Sequence, residues 1–277
     1  MSSIVVVFDF DRTLLEVDSD DWVVTEMGFK ALLRQLMRSM PWTDLMNRMM
    51  EEIHAIGKTM DDIVECLRQA PIHPRTLAAI HAAYDFGCDL KIISDANQFF
   101  IETILKYNGI FHCFSEIITN PTLVDQEGRL RISPYHDFTI YPHSCELCPR
   151  NMCKGLVMKR MRSSETGPER RKYIYLGDGK GDYCPSIKLE DGDFVMPRKG
   201  YYLEEHIGPN PSLTKAQVHG WASYEELEEI LLLLINKILR SANCNKFSQS
   251  SSSECKCEAG SCPTEESSHQ PVFVAPR

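Results

Sequence analysis

Asp9-Phe10-Asp11 follow directly on Ile4–Phe8, an apolar, β-branched run of strand length. In an extended segment residues i and i+2 point the same way, so these two carboxylates come within roughly 7 Å and repel unless a cation lies beside them. Two more apolar runs end in reactive residues. Leu90–Ile93 leads into Ser94-Asp95-Ala96-Asn97, and Tyr173–Leu176 into Gly177-Asp178-Gly179. Oxygens from Asp9, Asp11 and Asp178, with room for water, suit Mg2+, which uses few protein ligands and keeps several waters. Ca2+ is the other hard cation such a set accepts, and short rigid strand ends favour the smaller ion. A carboxylate beside a metal can attack phosphorus while a second carboxyl protonates the leaving oxygen and later deprotonates water. Asp9, at the strand end itself, suits the nucleophile, and Asp11 the acid/base. Charge spread over phosphoryl oxygens needs fixed partners, for which Lys154 at the start of a helix and the Ser94 hydroxyl are the candidates. The plain alternatives are turn-forming aspartates and a solvated surface lysine.

The elements that must bring these residues together are legible in outline. Three buried strands (Ile4–Phe8, Leu90–Ile93, Tyr173–Leu176) and two shorter ones (Glu116–Thr119, Phe194–Met196) alternate with helical patterns. The helical spans are Trp22–Leu36, Thr43–Ile56, Thr59–Arg68, Pro74–Phe86, Phe99–Tyr107, Lys154–Arg162 and Tyr224–Leu239. Thr59 stands where a cap belongs, and Pro74 where a first-turn proline does. Leu123–Ser133, with a turn at Asp125–Gly128, reads as a hairpin, and 134–153 as a loop. Such alternation predicts an α/β fold with a doubly wound parallel sheet, whose ligand crevice lies beyond the carboxyl ends of the strands. Residues 1–18 and 85–240 would form the catalytic core, 19–84 a helical cap inserted after the first strand, and 241–277 a disordered Ser- and Cys-rich tail.

The motifs resemble a known superfamily. Phe8-Asp9-Phe10-Asp11-Arg12-Thr13 is similar to the DxDx[TV] first motif of haloacid-dehalogenase phosphatases. Ser94 resembles the second-motif Ser/Thr, Lys154 the third-motif lysine, and Gly177-Asp178-Gly179-Lys180-Gly181-Asp182 the fourth-motif GDGxxD. The resemblance implies Asp9 as nucleophile, Asp11 as acid/base, Mg2+ held by Asp9, the Asp11 backbone carbonyl and Asp178, and Asp182 in support. Further stretches are similar to the phosphoethanolamine/phosphocholine phosphatase family, whose plant relatives are described as thiamine-phosphate phosphatase-like or pyrophosphatase-like. They are Ser19-Asp20-Asp21-Trp22, Ile93-Ser94-Asp95-Ala96-Asn97, Ser133-Pro134-Tyr135-His136, Cys148-Pro149-Arg150-Asn151-Met152-Cys153-Lys154 and Gly181-Asp182-Tyr183-Cys184-Pro185. This likeness spans essentially residues 1–240 and implies substrate binding by Asp20 and Asp95. Phosphoethanolamine and phosphocholine carry a cation near phosphorus. A carboxylate pairing with it at about 4 Å gains roughly 4 kcal/mol before desolvation at an effective dielectric near 20. Trp22 would add a cation–π contact of about 0.5–2 kcal/mol, and Asn97 a supporting hydrogen bond. An N-cap role is the competing reading of Asp20. Thiamine monophosphate is also cationic. Pyrophosphate is not, and would be repelled by Asp20 and Asp95, so it ranks lower.

The net charge of −9 argues against a nucleic-acid partner, which needs excess Lys and Arg; the family resemblance implies a small phosphorylated metabolite as the ligand. The negative charge also means that phosphate must be drawn in by a local cation. No segment reads as a membrane span. The start lacks a secretory pattern, so the cytoplasm is the expected compartment and the 11 cysteines are expected mainly as thiols. His143-Ser144-Cys145-Glu146-Leu147-Cys148 with Cys153 offers zinc-like spacing without a clean fourth ligand, the alternative being free thiols in a loop over the active site. Cys255, Cys257 and Cys262 would lie in the tail, where lipidation, metal binding or no role are all open. The Met-rich stretch Met37–Met50 reads as helix packing or an adaptable lid. Phosphotransfer to an alcohol through the same aspartate, or a catalytically silent scaffold on this fold, are the competing functions; the intact motif set speaks against the second.

Overall fold

The structure, a computed structural model, describes residues 3–140, 142–165 and 170–250, with side chains to residue 242. The chain divides into a unit Met1–Ile238 and a second, Leu239–Arg277. The first unit is built on a six-stranded sheet in the order β3-β2-β1-β6-β7-β8. Its strands are β1 (Ile4–Phe8), β2 (Asp89–Asn97), β3 (Phe114–Asn120), β6 (Lys172–Gly177), β7 (Phe194–Pro197) and β8 (Gln217–Val218). Every pairing is parallel, as the doubly wound reading expects. β4 (Thr122–Val124) and β5 (Leu130–Ile132) form a separate antiparallel hairpin.

β1 is buried along its whole length, as the continuous apolar run requires of a strand covered on both faces. Val5 and Val7 pack in one cluster with Val157, Met158 and Met161 of α7 (Lys154–Ser163) and with Leu203 and Ile207 of α9 (Tyr202–Ile207). By strand alternation Ile4, Val6 and Phe8 face the other side, where α5 (Pro74–Asp85) and α6 (Gln98–Tyr107) pack on β2 and β3. From β1 the chain moves outward to β2 and β3, then returns past β1 to β6. The crossing direction reverses between β1 and β6, so the ligand crevice of such a sheet lies at their carboxyl ends, where Asp9 and Asp178 sit.

Four helices separate β1 from α5: α1 (Ser19–Glu26), α2 (Lys30–Leu36), α3 (Trp42–Ala55) and α4 (Met60–Arg68). The single helix expected over Trp22–Leu36 is two, because Gly28 adopts φ +90°, a left-handed turn that interrupts the ladder. Thr59 caps α4 through a reciprocal box with Asp62, and Pro74 opens α5. α3 grips the hairpin through Asn47, whose amide N–H donates to Ile132 O at 2.7 Å and whose oxygen accepts from Ile132 N at 2.8 Å. The last helix, α10, spans Tyr224–Ser250, past the expected end at Leu239. The rest of the expected tail, with Cys255, Cys257 and Cys262, lies outside the described residues. α8 (Tyr183–Ser186), α9 and the two-residue β8 carry too little periodicity to be read from sequence.

Candidate active site

Asp9 leaves β1 while its backbone N–H still bonds Leu176 O of β6 at 2.9 Å. The chain then makes a wide turn, Phe10–Leu14, closed by Leu15 N–H on Phe10 O at 2.9 Å. Arg12 in that turn has φ 56°, the one non-glycine residue in the left-handed region among those described, a strain that surrounding contacts must hold. Arg12 N–H donates to Val17 O at 3.0 Å, its guanidinium pairs with Asp18 at 3.2 Å, and the Arg198 guanidinium donates to its carbonyl. The turn is therefore fixed, with Asp9 and Asp11 at its start.

Lys154, the first residue of α7, is 3% exposed. Its ammonium donates to Asp9 Oδ1 at 2.6 Å and to Asp182 Oδ1 at 2.9 Å. Asp182 accepts in addition from Tyr175 Oη at 2.7 Å and, on its other oxygen, from the backbone N–H groups of Asp178 at 3.1 Å and Gly179 at 2.9 Å. A Cβ on Gly177 would stand 2.5 Å from the Asp182 carboxyl carbon, so only glycine admits that carboxylate under the loop. Oxygens of Asp9, Asp178 and Asp182 lie within 4.8 Å of one another, all three residues buried. Burial works against the Lys154 ammonium, but Asp182 and Asp9 outweigh it and hold its pKa well above the lysine value. Three carboxylates still share one ammonium. Burial, then Asp182, pushes Asp178 up to about 6, and the same two causes raise Asp9 despite Lys154. This surplus of buried negative charge fits a divalent cation. Asp182 has both oxygens engaged by protein donors, so it suits support rather than ligation.

Asp11 turns away from that cluster. Its Oδ1 accepts from Ser19 N at 2.8 Å at the start of α1, and the metal contact expected of it is through its backbone carbonyl. Burial, then Asp18 and Asp20, raises its pKa well above the carboxylate range. Asp20 is 3% exposed and holds two donors, Trp42 Nε1 at 2.7 Å and Asn97 Nδ2 at 3.2 Å. The N-cap of α1 is Asp18, which accepts from Asp21 N at 3.0 Å, so Asp20 is free of that role. Burial, then Asp18, pushes Asp20 up to about 8. Asn97 also caps α6, accepting from Phe100 N at 3.0 Å. Trp22, expected near the substrate cation, instead donates its indole N–H to Cys66 O of α4 at 3.1 Å, and Trp42 is the indole at Asp20.

Asp95 lies on the Lys154 side of the site. A Cβ on Gly181 would stand 3.6 Å from Lys154 Cε and 3.9 Å from Asp95 Oδ2, so Asp95 and Lys154 face the same glycine. Asn120 holds the Asp95 and Ala96 carbonyls, donating to each at 2.7 Å. Ser94 is fully buried, and its hydroxyl oxygen accepts from Ala96 N at 3.2 Å within its own turn. Trp42, Tyr175 and Asn120 were missed by sequence reasoning. Trp42 and Asn120 lie 22 and 25 residues from Asp20 and Asp95; Tyr175 is only seven from Asp182, but no local pattern marks any of the three.

Fold and site together define a phosphatase of the haloacid-dehalogenase type, a phosphoric monoester hydrolase. Residues 4–235 match the family described as Putative Phosphatase, and the chain belongs to it. It is 50% identical to "Inorganic pyrophosphatase 2" of Arabidopsis thaliana, over 99% of this chain and 96% of that one. It is 53% identical to the "Thiamine phosphate phosphatase-like protein" of Arabidopsis thaliana, over 87% and 98%, and 31% identical to the "Phosphoethanolamine/phosphocholine phosphatase" of Gallus gallus, over 84% and 89%. The fold matches a solved phosphoserine phosphatase described as a phospho-aspartyl intermediate analogue, at a TM-score of 0.53 and 14% identity, covering 83% of this chain and 97% of that one. Among the described residues no helix is long and apolar enough to cross a membrane.

Proposed function

We propose that this chain is a Mg2+-dependent phosphatase acting, in the cytoplasm, on a small phosphomonoester that carries a cationic group, through a phosphoaspartate at Asp9. Phosphoethanolamine, phosphocholine and thiamine monophosphate are the substrate chemistries in question. The observation that carries the reading is Lys154 donating to Asp9 and Asp182 within a buried carboxylate cluster. Asp9, the Asp11 backbone carbonyl and Asp178 would hold Mg2+, which when bound supplies the positive charge that keeps Asp9 ionised and faces the phosphoryl oxygens.

In this reading the Asp9 oxygen not held by Lys154 attacks phosphorus. The P–O ester bond breaks, its electron pair leaves on the ester oxygen, and that oxygen takes the Asp11 proton. Water then attacks phosphorus, Asp11 takes its proton, and the Asp9–phosphorus bond breaks to release phosphate. Lys154 and the Ser94 hydroxyl proton serve the phosphoryl oxygens. Helices α1–α4, within the expected 19–84 cap, bring Asp20 and Trp42 to the substrate and exclude water at the reacting centre, whereas α5 packs on β2 and belongs to the core. Asp20, poised by Trp42 and Asn97, and Asp95 receive the cation, whose arrival favours the ionised form of Asp20.

A second reading is hydrolysis of pyrophosphate, favoured by the name of the relative that is 50% identical. The test is kcat/KM with Mg2+ for phosphoethanolamine, phosphocholine, thiamine monophosphate, pyrophosphate and glycerol phosphate, on the wild type, Asp9→Asn and Asp95→Asn. Asp9→Asn is expected to abolish turnover of all of them, and Asp95→Asn to raise KM for the cationic esters more than for glycerol phosphate. Undiminished hydrolysis by Asp9→Asn overturns the mechanism. A preference for pyrophosphate, or equal Asp95→Asn effects, overturns the cationic substrate class alone.

A further inference from the structure

We propose that Cys145, Cys148, Cys153 and Cys184 form a structural zinc site that ties the loop before α7 and the start of α7 to α8. The sequence spells only three of these ligands together. The fold supplies the fourth from beyond β6. All four Sγ atoms lie within 4.8 Å of one another, with Cys145–Cys184 at 3.7 Å and Cys153–Cys184 at 3.9 Å. A tetrahedron of thiolates at the usual Zn–S distance of about 2.3 Å has edges of about 3.8 Å. A disulfide needs about 2.05 Å between two sulfurs only, and all four of these cysteines are free. One ion fits this span, whereas a cluster of several irons needs a wider ring of thiolates. Four soft ligands in tetrahedral array select Zn2+ over the hard cation of the catalytic site.

The surroundings are built for the same purpose. Cys153 caps α7, its sulfur accepting from Leu156 N at 3.4 Å, where the positive end of a helix favours a thiolate. Its own N–H donates to His136 Nδ1 at 3.2 Å. Cys145 N–H donates to His143 Nδ1 at 3.3 Å, which leaves His143 Nε2–H for Pro149 O at 2.8 Å. A Cβ on Gly155 would stand 2.3 Å from Cys184 Sγ, so α7 reaches this sulfur only because residue 155 is glycine. Cys153 precedes Lys154, and Cys184 lies two residues after Asp182. A metal joining the two cysteines therefore fixes the register of the Lys154–Asp182 ion pair. It acts as a positioning device outside the chemistry and independent of which phosphate ester is cleaved.

The full chain, purified reduced in Mg2+ buffer and passed through a metal-free column, is expected to hold about one zinc per chain by mass spectrometry. Cys145→Ser, Cys148→Ser and Cys184→Ser should each lower that content severalfold. Cys88→Ser and the combined Cys255→Ser, Cys257→Ser, Cys262→Ser variant should keep it. If the quartet variants do not fold, the wild-type chain still decides. Exchange into Co2+ should give the visible bands of a tetrahedral thiolate site, and an organomercurial should release the metal as the four thiols react. The proposal is overturned by zinc-free wild type with no cobalt bands, by zinc that survives Cys184→Ser, by zinc that leaves with the tail cysteines, or by an intact mass showing a disulfide within the quartet.

Discussion

In the proposed function Asp178 would hold the metal, yet Asp178→Asn should make the metal-free protein more stable at neutral pH. Burial and Asp182 push Asp178 from 3.8 up to about 6. At about 1.4 kcal/mol per pH unit, ionising it in the folded, metal-free protein costs about 3 kcal/mol. A raised folded-state pKa adds stability that is complete below pH 3.8 and lost as pH rises through about 6. At pH 7.5 without metal the wild type has lost all of it, whereas an asparagine has no charge to desolvate. For a unit of this size the gain corresponds to roughly 6–12 °C in Tm.

The assay is thermal unfolding of wild type and Asp178→Asn with EDTA at pH 4 and pH 7.5, then with excess Mg2+ at pH 7.5. The variant should melt higher than wild type with EDTA at pH 7.5, and the difference should shrink at pH 4. Mg2+ should raise the wild type and leave the variant almost unmoved, because ligand binding to the folded state stabilises by mass action. Activity should be lost throughout. A variant that melts below wild type with EDTA at pH 7.5 would refute the view that the site stores uncompensated negative charge.

Trp42→Phe removes a donor from Asp20 at 2.7 Å and raises the Asp20 pKa further. A hydrogen bond to a charged group is worth about 1.5–3 kcal/mol, so KM for phosphocholine at pH 7.5 should rise about tenfold, with KM for glycerol phosphate little changed. Below about pH 8 Asp20 is increasingly protonated in the free enzyme, so kcat/KM for the cationic ester relative to glycerol phosphate should climb from pH 6 to pH 8, and a flat ratio would remove Asp20 from cation binding. Tyr175→Phe takes one donor from Asp182 and should lower stability by about 1.5–3 kcal/mol. Its effect on activity should appear in kcat rather than KM, as steady-state kinetics can show.

What the sequence made legible was whatever the backbone alone decides. Asp9 and Asp178 stand at strand ends because continuous apolar runs stop there, and the winding of the sheet sets those ends side by side. The break at Gly28 was also in reach of sequence reasoning, since a glycine inside a helical pattern marks a boundary. What stayed hidden depends on distant side chains meeting. Trp22 and Trp42 are both indoles in helical segments before β2, and only the packing of α1 on α4 sends Trp22 to Cys66 and leaves Trp42 for Asp20. Cys184 lies 31 residues from Cys153, so a quartet that includes it has no local signature.

The separation of roles between the two aspartates of the first motif has the same origin. Asp9 and Asp11 are two residues apart, yet the strained turn at Arg12 sends them to different neighbours. Asp9 meets the Lys154 ammonium and lies beside Asp178, where, in the proposed function, a divalent cation would favour its ionised form. Burial, then the carboxylates of Asp18 and Asp20, raises Asp11, against the opposing hydrogen bond from the Ser19 backbone N–H. Both carboxyls are raised, but only Asp9 has a lysine opposing the rise and the Asp178 carboxylate beside it, so in the proposed function Asp9 suits the nucleophile and Asp11 the acid. On this view Arg12, whose carbonyl is held by Arg198 and whose guanidinium holds Asp18, fixes the turn that separates the two carboxyls.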